Sequence, residues 1–396
     1  MAERHYGPEF GFKTRAVHTG NDVDKDTGAI KRPITMGNCY ELPYDPTHLN
    51  WSSADKALYT RNGGVNQKYL QQKIAALEGT EDSVVLASGV AALSGIFFTF
   101  LKAGDHVVTS KVTYIAVYRL LTEHLKNKYG IEATLVDTSD PEAVRAAIRP
   151  NTKLIHIETP GNPTIGISDI AAIAKIAHEK GILFSVDNTF ASPYLQRPAE
   201  LGADLTVESL TKYINGHGDA LGGAVSGKKE LLDQIRLQAM VNLGGAISPF
   251  NAWLIMRGAV TLPLRMRQHS ESALAVAKYL KDSPAVRFVA YPGLESDPGH
   301  TTAAKQMKNG YSGMIAFGLK GDTDAHNRFV SYLRVITSAV SLGHDESLIV
   351  LIGADDERQY LYPEKFHGGF FRFSVGLEDT QDIIGDIDQA LRKAGF

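Results

Sequence analysis

From about Asn66 the chain alternates short apolar runs with helical stretches, and the runs have the length of buried strands. A helix is expected over residues 67–78, closed by Gly79. Strands are then expected at 83–86, 106–109, 134–136, 154–157, 183–186 and 204–207, with helices between several of them. Runs without strict alternation, separated by helices, predict a mainly parallel α/β sheet covered on both faces. Ligands of such sheets collect at the carboxyl ends of the strands. The first sixty residues follow another pattern, with turn signals at Asn21-Asp22, Thr27-Gly28 and Leu42-Pro-Tyr-Asp-Pro46 and little periodicity, which predicts an arm. Past Gly244-Gly-Ala-Ile-Ser-Pro249 a long helical region is expected over about 250–280, then strands at 314–319 and 371–375 and a closing helix at 380–394. This predicts a smaller α+β C-terminal domain. The expected division is an arm at 1–62, a large domain at 63–255 and a C-terminal domain at 256–396.

At 396 residues with 43% hydrophobic content, the chain is long enough for two cores. A net charge of -3 gives no basic surplus for a nucleic-acid backbone or an anionic membrane, so neither is an expected partner. The most apolar stretches, such as 91–101, are too short to span a bilayer, and the first residues hold no apolar targeting core. One cysteine, Cys39, permits no intrachain disulfide and no cysteine metal cluster, which fits a reducing, cytoplasmic setting. There is no His-Glu-x-x-His motif and no Gly-x-x-x-x-Gly-Lys-Ser/Thr loop, and no metal is expected.

Two residues at strand ends carry the chemistry. Lys212 follows the strand at 204–207 and the pair Ser209 and Thr211; Asp187 ends the strand before it, with Asn188 and Thr189 behind. An amine and a carboxylate at neighbouring strand ends suit pyridoxal 5'-phosphate: the amine condenses with its aldehyde, and the acid keeps its ring nitrogen protonated. Taken singly, each has an ordinary reading, the lysine as a solvated side chain and Asp-Asn as a turn. Ser88, Gly89 and Val90 lie where a strand passes into an apolar helix, so their backbone N–H groups suit a phosphate or simply close a junction. Ser209 and Thr211 are phosphate ligands or backbone caps. Tyr114 stacks on a ring or packs. Asn162, in Glu158-Thr-Pro-Gly-Asn162-Pro163, offers an amide at the same edge or belongs to a Pro-Gly turn. Arg372, inside Phe370-Phe-Arg-Phe-Ser-Val375, needs a partner, either a substrate carboxylate or a structural acid.

These pieces, in order, resemble the Cys/Met-metabolism pyridoxal-phosphate enzymes, a family that includes methionine γ-lyase, cystathionine γ-lyase, cystathionine γ-synthase and O-acetylhomoserine sulfhydrylase. The resemblance runs from Thr14-Arg-Ala-Val-His18-Thr-Gly20 through Tyr59-Thr-Arg61, Ser88-Gly89, Val186-Asp-Asn-Thr189, Ser209-Leu-Thr-Lys-Tyr213 and Gly216-His-Gly218-Asp219 to Val340-Ser-Leu-Gly343 and Arg372-Phe-Ser-Val-Gly-Leu-Glu378. It implies fold type I, with Lys212 as the cofactor-binding lysine and proton carrier, Asp187 on the pyridine nitrogen and Tyr114 over the ring. It also implies that phosphate is held by Gly89, Val90, Ser209 and Thr211, with Tyr59 and Arg61 reaching in from a neighbouring subunit. Asn162, Ser341 and Arg372 would hold the α-carboxylate of an amino-acid substrate. A homotetramer with active sites shared across dimers is the family expectation.

The departures concern substrate choice. Gly64-Val-Asn66 replaces the family's Asn-Pro-Thr, Ile115 replaces a usual Gly, and Ala116 stands where methionine γ-lyases commonly have Cys. Val340 resembles the methionine γ-lyase choice, where cystathionine-handling enzymes often carry Glu. Leu351-Ile-Gly-Ala-Asp-Asp-Glu-Arg358 stands in place of a Pro-Ala-x-Met-Thr-His stretch, and Asn50 and Trp51 lie in an arm segment that borders the partner's pocket in the family. The leading expectation is a γ-lyase of the methionine γ-lyase type. A second is a canavanine γ-lyase releasing homoserine, with Asp345, Glu346, Asp355, Asp356 and Glu357 either facing a cationic tail or forming a solvated loop. A third is a cystathionine γ-lyase or γ-synthase, or a sulfhydrylase.

Overall fold

The structure is a computed structural model describing residues 6–51 and 58–396; the remainder of the expected arm, 1–5 and 52–57, lies outside the described residues. A seven-stranded sheet is built from β1 (Asp82–Leu86), β2 (His106–Ser110), β3 (Glu132–Val136), β4 (Thr152–Glu158), β5 (Leu183–Asp187), β6 (Leu205–Glu208) and β7 (Gly223–Gly227). Its order is β1-β7-β6-β5-β4-β2-β3, parallel except for β7, which runs antiparallel to both β1 and β6. Side chains that alternate along a strand enter different cores. Val84 and Leu86 pack with Leu93, Ile96 and Phe97 of the helix Gly89–Phe100. Val85 packs on the other face with Leu70, Ile74 and Leu77 of the helix Val65–Glu78. That helix ends at Gly79, whose φ of 73° is the left-handed conformation a helix stop favours. Phe184 and Val186 of β5 meet Ile170, Ile173 and Ala177 of the helix Ile170–Glu179.

All six strands expected in this region are present. The expected helical region over 250–280 is two helices, Pro249–Ala259 and Leu262–Asp282. Pro263 explains the break: it has no N–H to donate back and so sits in the first turn of a new helix.

A second sheet has the order β10-β11-β12-β9-β8, formed by β8 (Val286–Ala290), β9 (Met314–Leu319), β10 (Thr337–Ser338), β11 (Leu348–Ile352) and β12 (Phe370–Ser374). Phe317, Phe371 and Phe373 pack on one face against Ala273, Val276 and Ala277 of Leu262–Asp282 and against Ile383 and Ile387 of the helix Thr380–Ala394. Met314, Ala316 and Phe370 point the other way and join the core around Ile214 and Leu262. Arg372 shares a parity with Phe370, and period two therefore aims it at the first sheet.

Candidate active site

β4, β5 and β6 end side by side in three acids, Glu158, Asp187 and Glu208, all buried. Glu158 lies opposite Asp187 in register. Removal from water pushes each carboxyl above its ordinary range; the charge of Asp187 adds to the shift for Glu158, and that of Glu78 and then Asp187 for Glu208. Short side-chain bonds fix the loops that follow. Thr189 N–H donates to Asp187 Oδ1 at 3.0 Å, and Ser209 N–H donates to Thr189 Oγ1 at 2.9 Å. Asn188 Nδ2 reaches Glu208 Oε1 at 2.8 Å and the Gln196 carbonyl at 2.9 Å. The Thr189 backbone therefore fixes the Asp187 carboxylate from the loop that follows it.

Lys212 sits in the turn after β6, where its N–H donates to the Ser209 carbonyl at 3.1 Å. Its Nζ donates to Ser341 Oγ at 2.8 Å. Burial, aided by the nearby Arg372 cation, lowers the Lys212 ammonium to about 8. Ser341 has a φ of 80°, a left-handed conformation unusual for a residue with a side chain and of the sort found at functional sites. Arg372 Nη2 donates to the Ser341 carbonyl at 2.9 Å, and Nη1 to Asn162 Oδ1 at 3.0 Å. Burial brings its guanidinium down to about 10. Among the described residues no carboxylate lies within ion-pair distance of it, so the structural acid partner left open by the sequence is absent. Lys212, Ser341, Asn162 and Arg372 thus form one hydrogen-bonded group drawn from both sheets.

Close to Ser209 the helix Gly89–Phe100 begins, with Ser88 as its N-cap accepting from Ala91 N–H at 3.1 Å. A methyl group at Gly89 would fall 2.9 Å from both Cβ and Oγ of Ser209, and one at Gly223 would strike the Ser88 carbonyl. The helix N-terminus and Ser209 can meet only because both positions are glycine. Thr211 Oγ1 exchanges hydrogen bonds with Gly222, donating to its carbonyl at 3.2 Å and accepting from its N–H at 3.1 Å. Tyr59 and Arg61 are exposed, the guanidinium lying 5.2 Å over its own Tyr59 ring. Neither makes a hydrogen bond or ring contact to the Lys212 group among the described residues.

Tyr114 is 38% exposed at the start of a short helix, Ile115–Arg119. Its position is set by Glu158, an acid that in the sequence stands only as the first residue of a turn motif. Glu158 Oε2 accepts from Tyr114 N–H at 2.7 Å and Thr113 Oγ1 at 3.0 Å, and Oε1 accepts from Asn162 N–H at 2.8 Å. One buried carboxylate therefore ties the tyrosine segment to the Asn162 segment. Glu158→Gln places an amide NH2 against an N–H donor, and we expect a loss of about 2 kcal/mol in a urea titration. An unchanged midpoint would show that these bonds contribute nothing. From the divergent stretch, Arg358 Nη1 donates to the Thr113 carbonyl at 2.9 Å. Arg358 pairs with Asp356 at 3.1 Å, and Glu357 pairs with Arg119 at 2.7 Å. Two of the five acids in question are thereby engaged within the chain.

The matches with known proteins cover nearly all of the chain. The family described as Cys/Met metabolism PLP-dependent enzyme matches residues 13–392. The chain belongs to that family. It is a PLP-dependent lyase, and its relatives include γ-lyases. A canavanine gamma-lyase of Rhizobium leguminosarum bv. trifolii is 55% identical over 98% of both chains. An L-methionine gamma-lyase of Porphyromonas gingivalis is 42% identical over 96% of this chain and 97% of its own. The crystal structure of metB from Corynebacterium glutamicum superposes with a TM-score of 0.90 at 39% identity, covering 98% of this chain and 99% of that one. The fold is that of the PLP-dependent type I enzymes.

The residues present fit pyridoxal phosphate on three counts. The glycine-lined junction brings a helix N-terminus and the Ser209 hydroxyl together, a donor set suited to a phosphate dianion. The buried Asp187, raised by desolvation, has no cationic partner among the described residues, and a protonated pyridine nitrogen would supply one. Lys212 is buried enough for its amine to lose a proton near neutral pH. No helix among the described residues is long and apolar enough to cross a membrane.

Proposed function

We propose that this lyase acts on an L-amino acid carrying a guanidinooxy group on Cγ, the chemistry of canavanine. The Cγ–O bond breaks, the tail leaves as hydroxyguanidine and water supplies the hydroxyl of homoserine. Relatedness carries the choice of leaving group: two canavanine gamma-lyases are 55% identical to the chain, against 39–43% for the methionine gamma-lyases. The geometry agrees. Asp345, Glu346 and Asp219 lie close enough to His344, beside Ser341, for their charges to act on it, and Asp345 and Glu346 are exposed. An acidic rim suits a cationic tail.

When bound, the cofactor withdraws electrons from the substrate Cα and Cβ so that protons can leave them. In this reading Lys212 takes and returns those protons at Nζ. Asp187 keeps the ring nitrogen protonated, and Tyr114 covers the ring face and protonates the departing oxygen. Gly89 and Val90 N–H groups, Ser209 and Thr211 hold the phosphate, with Tyr59 and Arg61 supplied by a second copy, as their exposure allows. Arg372, Asn162 and Ser341 hold the α-carboxylate. With Tyr59 and Arg61 supplied in this way the sites are shared across a dimer, the unit of the homotetramer that the family resemblance implies.

A methionine γ-lyase reading is favoured by one observation: Val340, 78% exposed beside Ser341, offers an apolar surface to a thioether. The two separate by products. With canavanine we expect homoserine at a kcat/KM at least about tenfold above that for release of methanethiol and 2-oxobutyrate from methionine. The reverse ratio would reject the guanidinooxy assignment and keep the lyase.

A further inference from the structure

Ser341 Oγ stands between two nitrogen bases. Lys212 Nζ donates to it at 2.8 Å, and His344 Nε2 lies 3.0 Å away on the other side. With Lys212 donating, the hydroxyl proton is free to point at His344, whose Nε2 must then be bare and whose proton must sit on Nδ1. The place is built for an imidazole. A methyl group at Gly218, where φ is +66°, would come within 2.9 Å of His344 Nδ1. Ser341 meanwhile holds its left-handed backbone with Arg372 bound to its carbonyl. The groups facing the imidazole are Lys212, Glu346, Asp345 and Asp219. Burial and then the Lys212 cation lower its pKa, while the three acids raise it; the net direction is downward, so the imidazole is a neutral acceptor at pH 7.

We infer that His344 is the terminal base of a proton relay that runs through Ser341 to Lys212. A proton passes from Lys212 Nζ to Ser341 Oγ as the Ser341 proton passes to His344 Nε2. The products are a neutral amine, an intact hydroxyl and an imidazolium, and the reverse transfer restores the start. No bond to carbon changes. The inference rests on the proposed role of Lys212, which must be a free amine before it can take a substrate proton. His344 touches no reacting atom and acts as a positioning and relay residue.

His344→Gln separates the relay from a purely structural anchor, because a glutamine amide accepts the Ser341 hydrogen bond and cannot carry its proton. In the loaded enzyme, kcat for the amino-acid substrate is expected to fall roughly tenfold to hundredfold with KM unchanged. Added imidazole should restore kcat to His344→Gly in proportion to its unprotonated fraction. In the apoprotein, 15N imidazole spectra should show Nε2 unprotonated, and the His344 pKa should rise in Lys212→Met, where the neighbouring cation is gone. A wild-type kcat in His344→Gln, or a proton on Nε2, would overturn the relay and leave the lyase reading standing. Turnover by Lys212→Ala at the wild-type rate would remove both.

Discussion

Lys212→Ala is expected to lower turnover by roughly 10⁴-fold or more, since the residue proposed both as proton carrier and as covalent anchor of the cofactor is gone. The cause is local. Nζ is half-buried and bonded to Ser341 Oγ at 2.8 Å, and burial brings its ammonium to about 8, so about a tenth is free amine at pH 7. An ordinary lysine at a strand end would be almost fully protonated there. Two measurements check the claim: product formation, and retention of a pyridoxyl label on the 212-containing peptide after borohydride reduction. The variant should lose both, while small amines added at millimolar concentration restore part of the turnover. Because Lys212 supplies no buried apolar surface comparable to Tyr213 beside it, the variant should fold. A variant with wild-type turnover would assign the proton transfers elsewhere.

The sequence made the first sheet legible for a physical reason. Buried parallel strands cannot afford polar alternation, and 183–186 and 154–157 therefore stand out as apolar runs. The missed strands fail that rule in separate ways. β7 is Gly-Ala-Val-Ser-Gly, and the glycine at 223 is there because a side chain would strike the Ser88 carbonyl. β8 carries an exposed Arg287 at its second position, and β11 runs into the divergent stretch. The break near Val260 could have been read from Pro263, which fits the first turn of a helix and not its middle.

The cluster at the centre was legible by halves. Lys212 and Asp187 declare themselves because each follows its own strand. Ser341 is 129 residues beyond Lys212, and no periodicity connects them; only the resemblance placed it nearby. Glu158 was visible as a residue and not as a tie, since its three donors come from two loops that the fold brings together. His344 was lost among scattered histidines. The clue was Gly218, whose missing side chain leaves room for the ring. In the acidic stretch, charge alone could not tell Asp356 and Glu357, which serve Arg358 and Arg119, from Asp345 and Glu346 on the rim.

Arg372→Leu is expected to raise KM for the amino-acid substrate roughly 10²-fold or more, the scale of truncating one partner of a buried, hydrogen-bonded charge pair. The guanidinium is largely withdrawn from solvent on a half-buried residue, and two of its nitrogens are engaged with Asn162 Oδ1 and the Ser341 carbonyl, both uncharged acceptors. Uncharged acceptors orient a guanidinium without neutralising it, and Glu158 acts on it only through its field. In the proposed function a substrate carboxylate is the anion that completes the site. Arg372→Lys keeps the charge and loses the planar fork, so its KM should lie between those of the wild type and the leucine variant. Because leucine also leaves the Ser341 carbonyl and Asn162 Oδ1 without donors, a urea midpoint must accompany the kinetics. A large KM effect with a small midpoint shift marks substrate binding; an unchanged KM with lost stability would make Arg372 a structural bracket between the two sheets.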